Sequence, residues 1–487
     1  MTRKREDEMA IPLLLMENAM KKRIIILTLV VLTAVAAVFV GLNANRALLV
    51  SEEPAIGRES ERDFLSVSAQ LSKDAQHASG DMHLTATNRT GAQCSEVVLR
   101  LYANGVQEGS MTISSVLEGG SEADWSLDQE DPSVLRIRTA WAPEKTLEIA
   151  WHFEMTLPEV DGFIGMQDGV GLYIGALPVL AMWEEEDGEW RTDAWDALAE
   201  PSYAQAFDVS LALTVPSGVQ VATGASLVHV QENADGTRTL SAQMQGARDV
   251  SFAARKGGAI RQKQADGVLV SVLAESGGVA DRLLSAAVDA LEALSDLGIG
   301  YPFTALSVVQ ADTSREEGLV GSGLIALDAE SKGDALLAQM TRLVARQVFG
   351  IQVENDPWNA PWLSQSLASA VELLAYRRAK GVDAYEARFY EEIEVSTRLT
   401  RPYGVTIGSG VDHFGGDSEM TQVLRDQGAV MLMGIDQSVG EEAFLKALSL
   451  YVERNAGGVA DFDALEAALY EATGSRWDGY LLDWLAS

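Results

Sequence analysis

The chain has 487 residues, enough for two or three domains, and 47% of them are hydrophobic against 22% charged, which are the proportions of a folded protein. Its 71 acidic residues outnumber the 37 basic ones and give a formal charge of −34, which argues against nucleic-acid binding because that depends on clustered Lys and Arg. The single cysteine, Cys94, excludes an intrachain disulfide and a cysteine-based zinc ribbon, and we expect it to be a small buried hydrophobe.

An apolar segment near the N-terminus predicts a membrane helix. Residues 24–42 are nineteen consecutive uncharged positions, which at about 1.5 Å per residue approach the thickness of the hydrocarbon core. The basic run 21–23 precedes them and the flank beyond Arg46 is acidic, so residues 1–23 are expected in the cytoplasm and the body outside it. The alternatives are a cleaved signal peptide, which also puts the body outside, and a buried core helix.

The remaining chain divides into a linker, a strand-rich part and a helical part. Residues 43–64 are polar and acidic enough to be the linker. Within 65–256, apolar runs and alternation predict antiparallel strands, and Asp235-Gly236 predicts a hairpin turn. Those strands include 97–102, 135–138, 147–151 and 207–213.

Within 257–487 the apolar period changes from strand to helix. One more strand is predicted at 268–273. Apolar residues at steps of three and four then predict helices over 279–297, 335–349, 363–380, 420–433 and 462–472. The fold class expected is therefore α+β.

Several segments together resemble a known family. They are 201–209, 214–216, 221–224 and 247–252 in the first part, and 299–303, 427–429, 439–444 and 477–484 in the second. With the active-site-like segment described next, they are similar to the membrane alanyl aminopeptidase family of zinc peptidases, the gluzincins. The resemblance implies an antiparallel β-saddle domain followed by a mostly helical thermolysin-like domain.

The family's zinc-binding segment reads H-E-x-x-H, then eighteen residues, then a glutamate in a W-L-x-E context. Here Arg342 and Arg346 match the two histidines, Leu343 matches the general base, and Gln365 matches the glutamate after the eighteen residues 347–364. The spacing is kept, but arginine offers only protonated donors and leucine cannot accept a proton. The resemblance therefore implies a degenerate member that lacks the zinc ligands.

Two further functional positions of the family are also replaced. The G-x-M-E-N-like loop, whose glutamate binds the substrate's amino terminus in the family, matches 318–323, and we place Val320 at the glutamate. The family's tyrosine in a Y-x-K-G-A context is replaced by Arg425, which precedes 426–429. We therefore expect no catalytic residue and no metal ligand.

Other chemistry has little support in the sequence. Of the five histidines, none is spaced at i, i+3 or i+4 from another, so a rebuilt zinc site would need ligands from distant strands. His413, with Asp412 and Asp417 nearby in a glycine-rich loop, could be a base or a weak ligand, but a solvated loop histidine is the simpler interpretation.

The three arginines carry a hypothesis about ligands. Arg342 and Arg346 lie on the side of the 335–349 helix opposite its apolar stripe, and in the family that side lines the substrate cleft. The resemblance therefore implies that Arg342, Arg346 and Arg425 converge there and form a cationic patch for an acidic peptide or a C-terminal carboxylate. The alternative is internal pairing with three carboxylates of the same region. These are Glu354, Asp356 and Glu372.

The expected protein is thus a single-pass, extracytoplasmic pseudoenzyme of the bacterial cell surface. It would bind a peptide or a protein partner there and use no cofactor, although the family would imply zinc. The alternative is an active zinc-dependent metallopeptidase, an aminopeptidase, with a non-standard site.

Overall fold

The structure is a computed structural model that describes residues 61–185, 187–313, 315–395, 397 and 402–486. The predicted cytoplasmic tail, the membrane helix over 24–42 and nearly all of the predicted linker lie outside these residues. Among the described residues, none of the helices combines the length and the apolar character needed to cross a bilayer. The membrane helix therefore stays a prediction.

The strands are numbered in chain order. They are β1 Asp63–Leu71, β2 His77–Thr87, β3 Cys94–Arg100, β4 Met111–Glu118, β5 Ser121–Glu122, β6 Asp124–Leu127, β7 Val134–Trp141, β8 Thr146–Thr156, β9 Ile164–Gln167, β10 Val170–Tyr173, β11 Val179–Leu180, β12 Trp183–Glu184, β13 Glu189–Trp190, β14 Phe207–Val215, β15 Val219–Thr223, β16 Ser226–Glu232, β17 Arg238–Ala247, β18 Phe252–Lys256, β19 Ala259–Ala265, β20 Val268–Ala274, β21 Ala305–Gln310, β22 Leu319–Gly321 and β23 Leu324–Leu327.

The helices follow mainly in the second half. They are α1 Tyr102–Val106, α2 Gly277–Asp296, α3 Gly333–Arg346, α4 Trp362–Lys380, α5 Val382–Arg388, α6 Asp417–Met420, α7 Gly428–Val439, α8 Glu441–Asn455, α9 Phe462–Thr473 and α10 Asp478–Leu485. Wider π-helical turns occupy Gln347–Gln352, Phe389–Glu394 and Thr421–Gln427, and a 3-10 turn occupies Val411–His413. The prediction of a mixed α+β chain, β-rich first and helical second, is confirmed.

The β-rich half is built on a sheet in the order β16-β17-β14-β1-β2-β8-β4-β5. The alternation in β8 shows why it forms, since Ile149, Trp151, Phe153 and Met155 are buried and the intervening residues are not. The expectation of purely antiparallel pairing is wrong at one place, because β1 pairs with β14 in parallel. Two smaller sheets, β15-β18-β10-β9 and β11-β3-β7-β6, and the hairpin β12-β13 complete this half.

The second half also contains a sheet, in the order β19-β20-β21-β23-β22. The prediction of a single strand there, β20, is wrong in number. The strands β21 and β23 are buried along nearly their whole length, so they read as short apolar runs without alternation. The predicted division at residue 256/257 falls between β18 and β19, which belong to different sheets.

Buried polar contacts join the two halves. The Arg248 side chain is fully buried and donates from Nε to the carbonyl of Ile351 at 3.0 Å and from Nη2 to the carbonyl of Gly458 at 2.6 Å. Gly224 approaches the second half so closely that a Cβ there would lie 1.8 Å from the carbonyl oxygen of Ser322. The two halves thus meet backbone to backbone, as one packed body.

Candidate functional site

Two of the residues that match zinc ligands lie on one enclosed helix. The helix α3 packs between α2 and α4, and the chain continues from it into the π-helical turn Gln347–Gln352, where Phe349 leaves helical geometry at φ −95° and ψ 17°. Arg342 and Arg346 lie one turn apart near the end of α3. Leu343, between them, is fully buried, so protein also covers the side of α3 that carries the arginines.

Arg346 is neutralised by a carboxylate from the β-rich half. Its side chain is 4% exposed, and Nη2 contacts Oε1 of Glu200, which lies in the connection between β13 and β14. Gln365, in the first turn of α4, donates from Nε2 to the same oxygen at 3.3 Å. Arg346 and Gln365, which the sequence matches to two zinc ligands, therefore meet at Glu200. Within the described part of the chain, neither Nε nor Nη2 of Arg346 makes a hydrogen bond, so the contact with Glu200 is an ion pair without a hydrogen bond.

Arg342 and Arg425 share a second carboxylate, Glu317. Nε of Arg342 lies 2.6 Å from Oε2 of Glu317, and its Nη2 lies 3.1 Å from Oε1. Nη1 of Arg425 contacts the same Oε1, while its Nε lies 2.6 Å from Oδ1 of Asp426. The fork of Arg342 is thus matched to Glu317 in a bidentate pair.

The network extends through Glu372 on α4. Nη1 of Arg342 lies 3.3 Å from Oε2 of Glu372, and Nη1 of Arg388 lies 2.6 Å from Oε1. The side chain of Glu372 is 4% exposed. Arg425, Glu317, Arg342, Glu372 and Arg388 therefore form a chain of charges that alternate in sign, which we call the arginine network.

The surroundings of Glu317 and Arg346 shift their pKa values. Burial alone would raise the pKa of Glu317, but the guanidinium groups of Arg342 and Arg425 outweigh burial and lower that pKa to about 2. Burial lowers the pKa of Arg346 to about 10, so it also stays protonated at neutral pH. Glu317 and Arg346 therefore both carry their charge at neutral pH.

The internal partners differ in part from those expected. Glu372 does bind Arg342, but Asp356 instead lies 3.1 Å from Nη1 of Arg191. Glu354 is buried near Arg248, and burial raises its pKa to about 8 against the opposing charge of that arginine. Nothing in the local sequence pattern indicated Glu317 or Glu200. Glu317 lies in an irregular segment, and Glu200 comes from the other half of the chain.

The residue predicted at the family's amino-terminus-binding glutamate is buried in an edge strand. Val320 lies in β22 and is fully inaccessible. Counted from Gly318, the fourth letter of G-x-M-E-N falls on Gly321, one residue after Val320, and neither side chain bears a carboxylate. A Cβ at Gly321 would lie 2.1 Å from Oγ of Ser251, so this backbone position has no room for a glutamate.

The side chains at the matched positions do not fit a zinc ion. Zinc takes imidazole nitrogen, thiolate or carboxylate oxygen, whereas Arg342, Arg346 and Gln365 offer guanidinium donors and an amide. The nearby carboxylates are engaged by arginines. Across the described ranges, no group of three or more His, Cys, Asp and Glu is placed to hold a metal ion.

His413 lies apart from the arginine network. Its ring is 62% exposed, and Nδ1 lies 2.8 Å from Oδ1 of Asp412. Asp417 instead lies 2.5 Å from Nε of Arg315. His413 thus has the surroundings of an exposed loop residue, which is how the sequence was interpreted.

Comparison with known proteins places the fold. No protein-family model and no curated protein matches the chain. Among solved structures, it matches the M1 zinc metallopeptidase from Deinococcus radiodurans with a TM-score of 0.63 and 18% identity, over 87% of this chain and 92% of that one. An alanine point mutant of that enzyme matches with a TM-score of 0.66 and 18% identity, over 90% of this chain and 96% of that one. A two-domain M1 zinc metallopeptidase mutant bound to L-arginine gives 0.64 and 19%, over the same shares. The chain therefore has the fold of M1 zinc metallopeptidases.

Proposed function

We propose that this chain is a membrane-anchored extracytoplasmic protein that has kept an aminopeptidase-like fold, does not hydrolyse peptides, and binds a peptide or a protein partner. The observation that carries the non-catalytic part is the pairing of Arg342 with Glu317 and of Arg346 with Glu200. These pairs occupy the positions that match the family's two histidines. The arginine side chains take the place that a metal ion would need, and the carboxylates that could bind a metal instead neutralise these arginines.

The chemistry of hydrolysis supports the same proposal. Water must be activated by a metal or by a base within hydrogen-bond reach. Leu343, which matches the base, is apolar and buried, and the guanidinium groups beside it stay protonated. A zinc ion at this position would lie beside the guanidinium groups of Arg342 and Arg346. These groups stay protonated and would repel the ion.

The membrane anchor rests on the sequence. Residues 24–42 have the length and the basic flank of a span with its N-terminus inside, and the acidic body is typical of a domain that does not adhere to anionic lipid. This orientation is tested by fusing to the C-terminus a reporter that is active only outside the cytoplasm. Reporter activity supports it, and activity only of a cytoplasmic reporter contradicts it.

Enzymatic inactivity is tested on the purified full chain in detergent. We expect well under one zinc per chain by elemental analysis and no hydrolysis of aminoacyl substrates with small, aromatic or basic side chains, with an intact aminopeptidase assayed in parallel. Stoichiometric zinc with chelator-sensitive turnover would instead identify an active metallopeptidase with a non-standard site.

The ligand hypothesis for the three arginines can be tested separately. Arg346 and Arg342 are 4% and 14% exposed and already paired, so Arg425, at 26%, is the member most accessible to an acidic peptide. Fluorescence anisotropy measures the affinity of an acidic peptide, and of its basic counterpart, for the full chain and for the Arg425→Gln variant. Equal affinity of the acidic peptide for both proteins removes the arginines as its site.

A further inference from the structure

A cavity in the β-rich half lies apart from the arginine network. Its volume is about 440 Å³, within the range of roughly 300–1,000 Å³ that small-molecule sites occupy. It forms where the start of β1, the ends of β2 and β7, and the β12-β13 hairpin come together. Its lining includes three indole rings and several planar polar groups: Trp141, Trp183, Trp190, Asp63, Arg89 and Gln205.

The three indoles are held at fixed angles. Trp183 and Trp190 face each other across the β12-β13 hairpin, with ring centroids 5.1 Å apart and planes at 79°. Trp141 lies parallel to Trp190, at 6.4 Å and 10°. Nε1 of Trp190 donates to the carbonyl of Glu96 at 3.0 Å, and Nε1 of Trp141 donates to that of Lys145 at 2.7 Å. These bonds fix two of the rings in place.

Trp183 differs from the other two indoles. It is only half-buried, and within the described residues its Nε1 has no hydrogen-bond partner. A ligand in the cavity can therefore meet both an indole edge that donates a hydrogen bond and an apolar ring face.

The polar side of the cavity has oriented groups whose charges are paired. Nη1 of Arg89 lies 2.6 Å from Oδ1 of Asp63, and Nη1 of Arg62 lies 3.4 Å from Oδ1 of Asp208. The two arginine side chains are nevertheless 48% and 46% exposed, so part of each can be reached by a ligand, although Nη2 of Arg89 also donates to the carbonyl of Glu61. Gln205 is an exposed residue whose Nε2 donates to Sδ of Met182 at 3.2 Å, and its Oε1 adds an acceptor.

We propose that this cavity binds a neutral saccharide of one or two rings. A pyranose ring has an apolar C–H face, which stacks on an indole, and an edge of vicinal hydroxyls, which planar guanidinium, carboxylate and amide groups bind in pairs. A quaternary ammonium ion would also suit aromatic walls, but Arg62 and Arg89 oppose a cation. The exposed carboxylates of Glu61 and Glu185 oppose an anion. This inference does not depend on the proposed function of the helical half.

The test uses the full chain in detergent on a glycan array, followed by calorimetric titration with N-acetylglucosamine, chitobiose, cellobiose and maltose. We expect at least one of these sugars, or a glycan of the array, to bind. Trp183→Ala should weaken that binding by roughly tenfold or more, because it removes the accessible indole. Trp125→Ala is the matched control: Trp125 is half-buried on β6 and does not line the cavity, and its variant should bind as the wild type does.

Two results would overturn the proposal. One is the absence of binding to every glycan and sugar tested, and the other is sugar binding that Trp183→Ala leaves unchanged. Choline chloride is titrated alongside, and binding of choline alone, lost in Trp183→Ala, assigns the cavity to cations instead. If Trp183→Ala does not fold, as judged by circular dichroism, Gln205→Ala replaces it, because this exposed amide can be removed without disturbing the core.

Discussion

Removing either partner of the Arg346 and Glu200 pair, which links the two halves, should lower the free energy of unfolding. Arg346→Met leaves the Glu200 carboxylate, 9% exposed, with the amide of Gln365 beside it but without the cation that contacts it, and Glu200→Gln removes the carboxylate that contacts the buried Arg346 guanidinium. Each change should cost about 3 kcal/mol of unfolding free energy, the lower end of the range for breaking a buried pair, since Gln365 gives partial compensation. The double variant should cost about 3 kcal/mol rather than about 6 kcal/mol, a coupling of about 3 kcal/mol.

Urea unfolding of the full chain in detergent, followed by circular dichroism, measures these costs. Arg454→Met is the matched control, because the pair of Arg454 and Glu471 is 45% and 50% exposed and should contribute less than about 1 kcal/mol. If the two single variants are as stable as the wild type, or if their effects add in the double variant, Arg346 and Glu200 are not the paired buried charges that we describe.

Further predictions concern titration and metal. The pKa of Glu317 is lowered to about 2, so the ionised carboxylate stabilises the fold fully above its ordinary pKa of 4.5, and this stabilisation is lost as the pH falls towards 2. In acid unfolding, the difference in unfolding free energy between wild type and Glu317→Gln should therefore narrow between pH 4.5 and 2. The pKa of Glu354 is raised to about 8, so the protonated carboxyl contributes fully to stability below pH 4.5, and this contribution is lost as the pH rises through 8. Glu354→Gln should therefore unfold at a higher temperature than wild type above pH 8. A difference in melting temperature that does not change with pH would contradict this. The triple variant R342H/R346H/Q365E should contain zinc by elemental analysis and should gain thermal stability when zinc is added. The double variant R342H/R346H should bind zinc more weakly. Equal zinc affinity of the two variants would show that residue 365 does not face the position that residues 342 and 346 share.

The sequence predicted those features of the fold that have a strong local signal. The periodicity over α2 and α4 predicted both helices to within two residues of their observed bounds, because each buries one regular set of side chains. The alternation over 147–151 predicted β8 and its start, but the strand continues five residues further, to Thr156. The strands β21 and β23 were missed, since buried strands in a sheet covered on both faces lack alternation. The helix α8 was also missed as an element, although its start, at Glu441, lies in a segment quoted for the resemblance.

For the candidate site, spacing was informative and pairing was not. The eighteen-residue interval between Arg346 and Gln365 is a property of the chain, and the structure does bring these two residues to one carboxylate. Which carboxylate it is depends on tertiary packing, because Glu200 reaches α3 from the opposite half and Glu317 from an irregular segment. A carboxylate in a loop has no periodicity that could indicate such a contact.

The sharing of Glu317 between Arg342 and Arg425 has an evolutionary consequence. A lone change of Arg342 to histidine would leave Glu317 and Glu372 with one cation each, and no metal could yet be held, because Arg346 and Gln365 would still be present. This substitution therefore lowers stability before any set of metal ligands exists. Because Glu317 and Glu372 each contact two arginines, substitutions that keep these charges paired should be tolerated more readily than a substitution that introduces a metal ligand at position 342.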